Sequence, residues 1–319
     1  MPRLVLTGAS GKLGGAVLQA LLEYDLIPVK DIVISTASDP NDPKWESLKS
    51  KGLTVRHGTY DDQNSLEKAF AGCERLLLVS SPHIEMDFDA APYGTGRERH
   101  HITAIHAARA AGVTHIYYTS LAFASSSKAG VTRAHSRTED FLHMLTDTTY
   151  TIIREGIYSE SWPLYFGHYQ PGRDQRREIV VGGDGPVSWT SIADLGLGTA
   201  LILVEPVARH SGITLTLASP QAYTLNDIAK SVATARGEPV SLRVVSRDEY
   251  ETYYARERGM DPRNLKWWSS TYEALQKHEC FQSESVLPKL LHEKGRELKP
   301  FPKTLHEMMD VDQTMVDGV

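Results

Sequence analysis

Cysteine is scarce in this 319-residue chain: Cys73 and Cys280 are its two, and neither belongs to a Cys-x-x-Cys pair or a Cys/His ligand spacing. That excludes a disulfide framework and the common zinc modules, and a reducing compartment is the expectation. Long hydrophobic runs are missing as well. The longest apolar stretches, such as 76–79, are far too short to cross a bilayer. The Met1-Pro2-Arg3 start carries no basic segment, apolar core or small-residue cleavage site of a signal peptide. A cytoplasmic location without membrane contact is therefore expected. Positive charge is in deficit: 34 Lys and Arg against 40 Asp and Glu give a formal charge of −6, which argues against a nucleic-acid-binding surface. With 23% charged and 41% hydrophobic residues the composition is otherwise that of a folded globular protein, long enough for one large domain or two modest ones.

What is present is alternation. Short apolar or β-branched runs at 4–7, 32–35, 53–57, 76–80, 115–119 and 151–154 read as strands. Between them, 13–22, 43–50, 65–71, 101–111 and 133–145 have helical period, with Gly52, Gly72 and Gly112 as C-terminal stops. Six strands separated by helices predict an α/β fold, a doubly wound parallel sheet of the Rossmann kind covered on both faces. After Gly156 the text turns aromatic and rich in Gly and Pro. A helix at 190–203, a strand at 213–217 and a helix at 225–235 follow, and 248–278 sets Tyr250, Tyr253, Tyr254, Trp267, Trp268 and Tyr272 among charges. The division expected is a dinucleotide-binding domain over 1–155, to which 187–218 returns. Residues 156–186 and 219–319 form a smaller C-terminal substrate-binding region. The serines at 125–127 read as a small polar flap or turn, and 310–319 as a frayed tail.

Directly after the first strand stands Gly8-Ala9-Ser10-Gly11-Lys12-Leu13-Gly14. A turn between strand and helix needs a residue without Cβ where backbone meets a diphosphate, and another where helix packs on strand. The helix N-terminus then offers free N–H groups and the positive end of its dipole. Gly8, Ser10, Gly11, Lys12, Leu13 and Gly14 are thus candidate cofactor ligands. The second strand ends in Ser35-Thr36-Ala37-Ser38, with neither the acidic residue of a NAD site nor the Arg of an NADP site. Hydroxyls such as that of Thr36 can donate to a 2′-phosphate and Lys12 can lean toward it, so NADP is expected with NAD possible. A solvated helix-start lysine is the other reading of Lys12, and Asp39 reads as a turn residue before Pro40.

Taken with the segments at 52–62, 76–81, 110–120, His135 with Thr138-Glu139, 153–160 and 183–194, this chain resembles the NmrA-like branch of the atypical short-chain dehydrogenases/reductases, of the NADPH-dependent quinone oxidoreductase and triphenylmethane reductase type. The likeness covers most of 2–240 and fades beyond. It implies Thr59 and Tyr60 near the adenine, Ser80, Ser81 and Pro82 near the adenosine ribose, and Tyr118, Thr119 and Ser120 near the nicotinamide ribose. Many relatives carry Asp where this chain has Thr59.

The superfamily's Tyr-x-x-x-Lys proton donor is absent from the corresponding helix start, which reads Thr132-Arg133-Ala134-His135-Ser136-Arg137-Thr138-Glu139. His135 and Glu139, four apart, share a helix face. An imidazole there can supply a proton, since its ordinary pKa is near 6.5; a structural His oriented by Glu139 is the competing reading. Tyr158 is the second candidate donor, or an aromatic wall. No histidine pattern has zinc spacing, and Arg173, Arg176 and Arg177 read as a solvated charge run. The function expected is an NAD(P)H-dependent reductase passing hydride to a flat, hydrophobic, conjugated carbonyl or quinone-like substrate, with an aromatic chamber from 158–169 and 250–272. A non-catalytic NAD(P) sensor, and an isomerase, dehydratase or cyclase on the same fold, stand as alternatives. The oligomeric state is not legible.

Overall fold

A computed structural model of the chain describes residues 3–124 and 127–310; Ser125 and Ser126 of the expected flap, and 311–319 of the expected tail, lie outside the described residues. The strands are β1 (Leu4–Leu6), β2 (Ile32–Thr36), β3 (Thr54–His57), β4 (Arg75–Leu78), β5 (His115–Leu121), β6 (Thr149–Glu155), β7 (Glu178–Val181), β8 (Ile213–Leu217) and β9 (Ser241–Val244). The helices in the first half are α1 (Lys12–Glu23), α2 (Glu46–Ser50), α3 (Gln63–Phe70), α4 (Glu98–Ala110) and α5 (Arg133–His143). The second half adds α6 (Trp162–Tyr165), α7 (Ile192–Val204), α8 (Leu225–Arg236), α9 (Arg247–Arg258), α10 (Pro262–Gln276), α11 (Leu287–His292) and α12 (Phe301–Asp310).

Seven strands form one parallel sheet in the order β3-β2-β1-β4-β5-β6-β8. This is the doubly wound arrangement with its order reversing beside β1, so a crevice opens at the strand carboxyl ends there. The central strands are buried on both faces, which is why Leu4–Leu6, Ile32–Ile34 and Leu76–Leu78 are apolar without alternation. One face packs against α1, α7 and α11 through Leu13, Val17, Leu21, Leu195, Ile202 and Leu287. The other packs against α3 and α4 through Leu66, Phe70, Ala104, Ile105 and Ala108. Gly52, Gly72 and Gly112 all have positive φ at the ends of their helices, as C-terminal stops require.

A third apolar cluster lies in the second half of the chain and is largely aromatic: Trp162, Tyr165, Phe166, Trp189, Tyr250, Tyr254, Trp268 and Tyr272 belong to it. Around it β7 and β9 make a separate two-stranded parallel sheet, which the sequence pattern does not indicate. The run 43–50 is a short 3-10 turn leading into α2, and α4 begins at Glu98, three residues before the position expected.

Candidate cofactor and substrate site

The turn from β1 to α1 is shaped by two glycines. Gly8 has φ +65°, a left-handed conformation open to glycine. A Cβ at Gly14 would stand 2.2 Å from the Gly8 carbonyl oxygen, so helix and turn approach as closely as only glycine permits. The Gly11 N–H donates to Gly8 O at 2.9 Å and closes the turn. Gly11 caps α1 without a side-chain hydrogen bond, and no acidic residue occupies the first helical turn. The opening amides of α1 and the positive end of its dipole are thereby left to an anion.

These residues form one end of a cavity of about 670 Å³. Gly8, Ser10, Gly11, Lys12, Leu13 and Gly14 line it, followed by Thr36, Ser38, Thr59 and Tyr60 at the ends of β2 and β3. Ser80, Ser81 and Pro82 after β4, and Thr119 and Ser120 in β5, line it further along. The Thr36 and Ser38 hydroxyls meet at 2.8 Å. The Lys12 side chain makes no hydrogen bond or ion pair with the described residues. Asp39 stays outside the cavity, its carboxylate accepting from the Asn41 N–H at 2.8 Å as a turn residue does. Tyr60 lends the cavity its ring while its hydroxyl donates to Val79 O at 2.7 Å.

Tyr118, grouped with Thr119 and Ser120 on the resemblance, does not line the cavity. Strand alternation turns it to the α4 face of the sheet, where it is fully buried. There it joins a chain of neutral groups whose proton positions follow from their partners. Thr138 Oγ1 donates to Ala134 O at 2.7 Å, so its 2.7 Å contact with His101 is accepted from Nδ1–H. His101 Nε2 accepts from the Ser81 N–H at 2.9 Å. The Tyr118 hydroxyl, 3.3 Å from that protonated Nδ1, then donates to His135 Nδ1 at 3.1 Å. His135 therefore carries its proton on Nε2, which has no partner among the described residues, on a ring that lines the cavity.

Burial, with the Arg97 guanidinium beside it, holds the His135 pKa well below 6.5, so the ring is a neutral N–H donor rather than an imidazolium acid. Glu139 does not orient it. That carboxylate accepts from Ser120 Oγ at 2.5 Å and from Arg154 Nη2 at 2.5 Å. Arg97, which no sequence motif marks, is buried with Asp87 at 2.7 Å and bonds the carbonyls of Ser81 and Val131; it too lines the cavity.

Its other lining is largely apolar: Phe123, Val131, Ile157, Leu164, Tyr165, Trp267 and Trp268, with Tyr158 among them. Burial and the nearby Glu155 and Glu160 push the Tyr158 phenol up, the reverse of what an adjacent lysine would do. Tyr250, Tyr253, Tyr254 and Tyr272 do not reach the cavity; they pack behind it in the aromatic cluster, so the chamber takes less from 250–272 than the composition suggests. Nor is Arg176 solvated: it is fixed to Asp174 at 2.5 Å and to Gly167 O at 3.0 Å.

Sheet order, glycine turn and crevice together define a doubly wound α/β protein of the Rossmann kind. The chain belongs to the NmrA-like family, whose model matches residues 2–309. It is 32% identical over 251 residues to an NmrA-like family domain-containing oxidoreductase of Aspergillus flavus, covering 78% of this chain and 76% of that protein. Quinone oxidoreductase 2 of Escherichia coli is 32% identical over 249 residues, 77% of this chain and 79% of that one. Among solved structures, Citrobacter sp. triphenylmethane reductase complexed with NADP(H) superposes with TM-score 0.77 at 30% identity, covering 96% of this chain and 99% of the other.

Proposed function

We propose that this protein is an NADPH-dependent reductase that delivers hydride to a flat, hydrophobic, conjugated carbonyl or quinone-like acceptor. The observation that carries the reading is one continuous cavity joining an uncapped helix N-terminus to an aromatic wall. A bound nicotinamide would supply the hydride; the protein's part is position and electrostatics. The opening amides of α1 hold the diphosphate, and Lys12, Thr36 and Ser38 hold a 2′-phosphate. Trp267, Trp268 and Tyr165 sandwich a planar acceptor and exclude water. The His135 Nε2–H donates a hydrogen bond to the oxygen on which charge develops, and Tyr158, kept protonated, is the nearby source of a proton. The two catalytic assignments are His135 and Tyr158; the family relatives named above, an oxidoreductase, a quinone oxidoreductase and a dye reductase, support the reaction class.

The test is turnover of NADPH and NADH against a panel of quinones, enones and triphenylmethane dyes, run alongside His135→Phe. Oxidation of NADPH by a planar acceptor is expected, with kcat falling about 10²-fold in the variant, the scale of one lost transition-state donor. NADPH affinity should stay within a few-fold. Tight binding without turnover of any acceptor would instead identify a sensor.

A further inference from the structure

Glu155 closes β6 at the cavity and is 1% exposed. Its neighbours across the sheet are Leu121 of β5 and Leu217 of β8, and the residue facing it from α7 is Thr199, whose hydroxyl donates to Oε1 at 2.7 Å. Oε2 is buried with no partner among the described residues. No cation among those residues pairs with it. The titratable groups in electrostatic reach are Tyr158, whose phenol it pushes up, and through that phenol Glu160. Burial raises the Glu155 pKa to about 8, the Thr199 hydroxyl opposing, so at neutral pH the side chain is a carboxylic acid. With Oε1 accepting, the proton belongs on Oε2, and that O–H points at nothing the described chain provides.

The position says what could complete it. A dinucleotide whose diphosphate rests on α1 runs along the strand carboxyl ends, its adenosine half toward β2 and β3 and its other half toward β5 and β6. Glu155 lies at that second end, on the α1 and α7 side of the sheet. A carboxylic acid presents an O–H donor beside a C=O acceptor, the complement of a primary carboxamide, which presents C=O beside N–H. We propose that Glu155 is a cofactor-positioning residue that receives the nicotinamide carboxamide in an acid–amide pair, fixing the ring's orientation for hydride transfer. This rests on the dinucleotide reading above.

Calorimetric binding of NADPH, compared with 2′-phospho-ADP-ribose, which lacks the nicotinamide, separates the two claims. In the parent protein NADPH is expected to bind more tightly than the fragment, and that advantage to shrink roughly tenfold between pH 7 and pH 9 as the acid ionises, while fragment affinity stays flat. Glu155→Gln, which keeps a donor and an acceptor but cannot titrate, should retain the advantage and lose its pH dependence. Glu155→Leu should bind both ligands alike. A nicotinamide advantage that persists in Glu155→Leu, or that ignores pH in the parent, overturns the assignment while leaving the dinucleotide reading intact. Failure of both ligands to bind the parent overturns both.

Discussion

Glu155 weakens the fold that holds it. Its pKa of about 8 stands above the ordinary 4.5, so between these values the unfolded chain ionises while the folded chain keeps the proton. The Glu155 contribution to stability therefore falls as pH rises through that window and levels off above about 8. Glutamine does not titrate. Glu155→Gln is expected to be more stable than the parent by a few kcal/mol at pH 8, taking about 1.4 kcal/mol for each tenfold change in the ionisation equilibrium as an upper scale, with the gain vanishing toward pH 4.5. Urea denaturation of parent and variant at pH 5 and pH 8 measures it; the same difference between the two proteins at both pH values would show that the acid is not held neutral. A group that lowers stability and has an unsatisfied hydrogen-bonding atom at a cavity is what a functional site looks like at the scale of one residue. His135 reaches a defined state by another route: burial and Arg97 keep it neutral, and its tautomer is set by Tyr118, His101 and Thr138, none of which lines the cavity.

At the scale of elements, the β1–α1 turn is the part with least tolerance. A methyl at Gly14 would fall 2.2 Å from Gly8 O and 2.6 Å from Gly8 C, both backbone atoms, so the strand–helix junction itself must move. Gly14→Ala is expected to cost about 1–3 kcal/mol in stability, the range for overpacking, and at least tenfold in NADPH affinity. Gly15→Ala, whose Cβ would lie 3.3 Å from Ala9 O, should do much less. Thermal melts and binding titrations of the pair check it. This turn, the alternating strands and the glycine stops are legible in the sequence because each is set by neighbours a few residues apart. The β7–β9 pair is not, since four-residue strands paired 63 positions apart leave no local period. The same limit applies to the site. Whether Tyr118 or Thr119 meets the cavity is a question of strand parity, and the partners of Glu139 and Arg97 come from β6 and from the segment after β4. Glu155 carries one local sign, an acid at the end of a strand directly before Gly156, but only the packing of α7 against β6 shows that the acid is buried.

On the scale of the whole molecule, the cavity lies where the sheet's carboxyl edge meets the aromatic cluster of the second half, with the glycine turn contributed by one and Trp267 and Trp268 by the other. A ligand spanning it touches both, so its binding energy opposes separation of the two. NADPH at a hundred times its dissociation constant should add about 2.7 kcal/mol to stability and raise Tm by roughly 3–8 °C, while a ligand-free melt sets the baseline. A differential scanning experiment in which NADPH leaves Tm unmoved would count against cofactor binding altogether.

The two cysteines acquire a meaning in this setting. Cys73 and Cys280 are both buried, and burial pushes both thiols up. Quinones and enones are Michael acceptors that alkylate thiolates, and the thiolate is the reactive form. On the proposed reading, sulfurs that stay protonated and walled off let the chain meet such electrophiles turn after turn without being alkylated by the acceptor it would reduce.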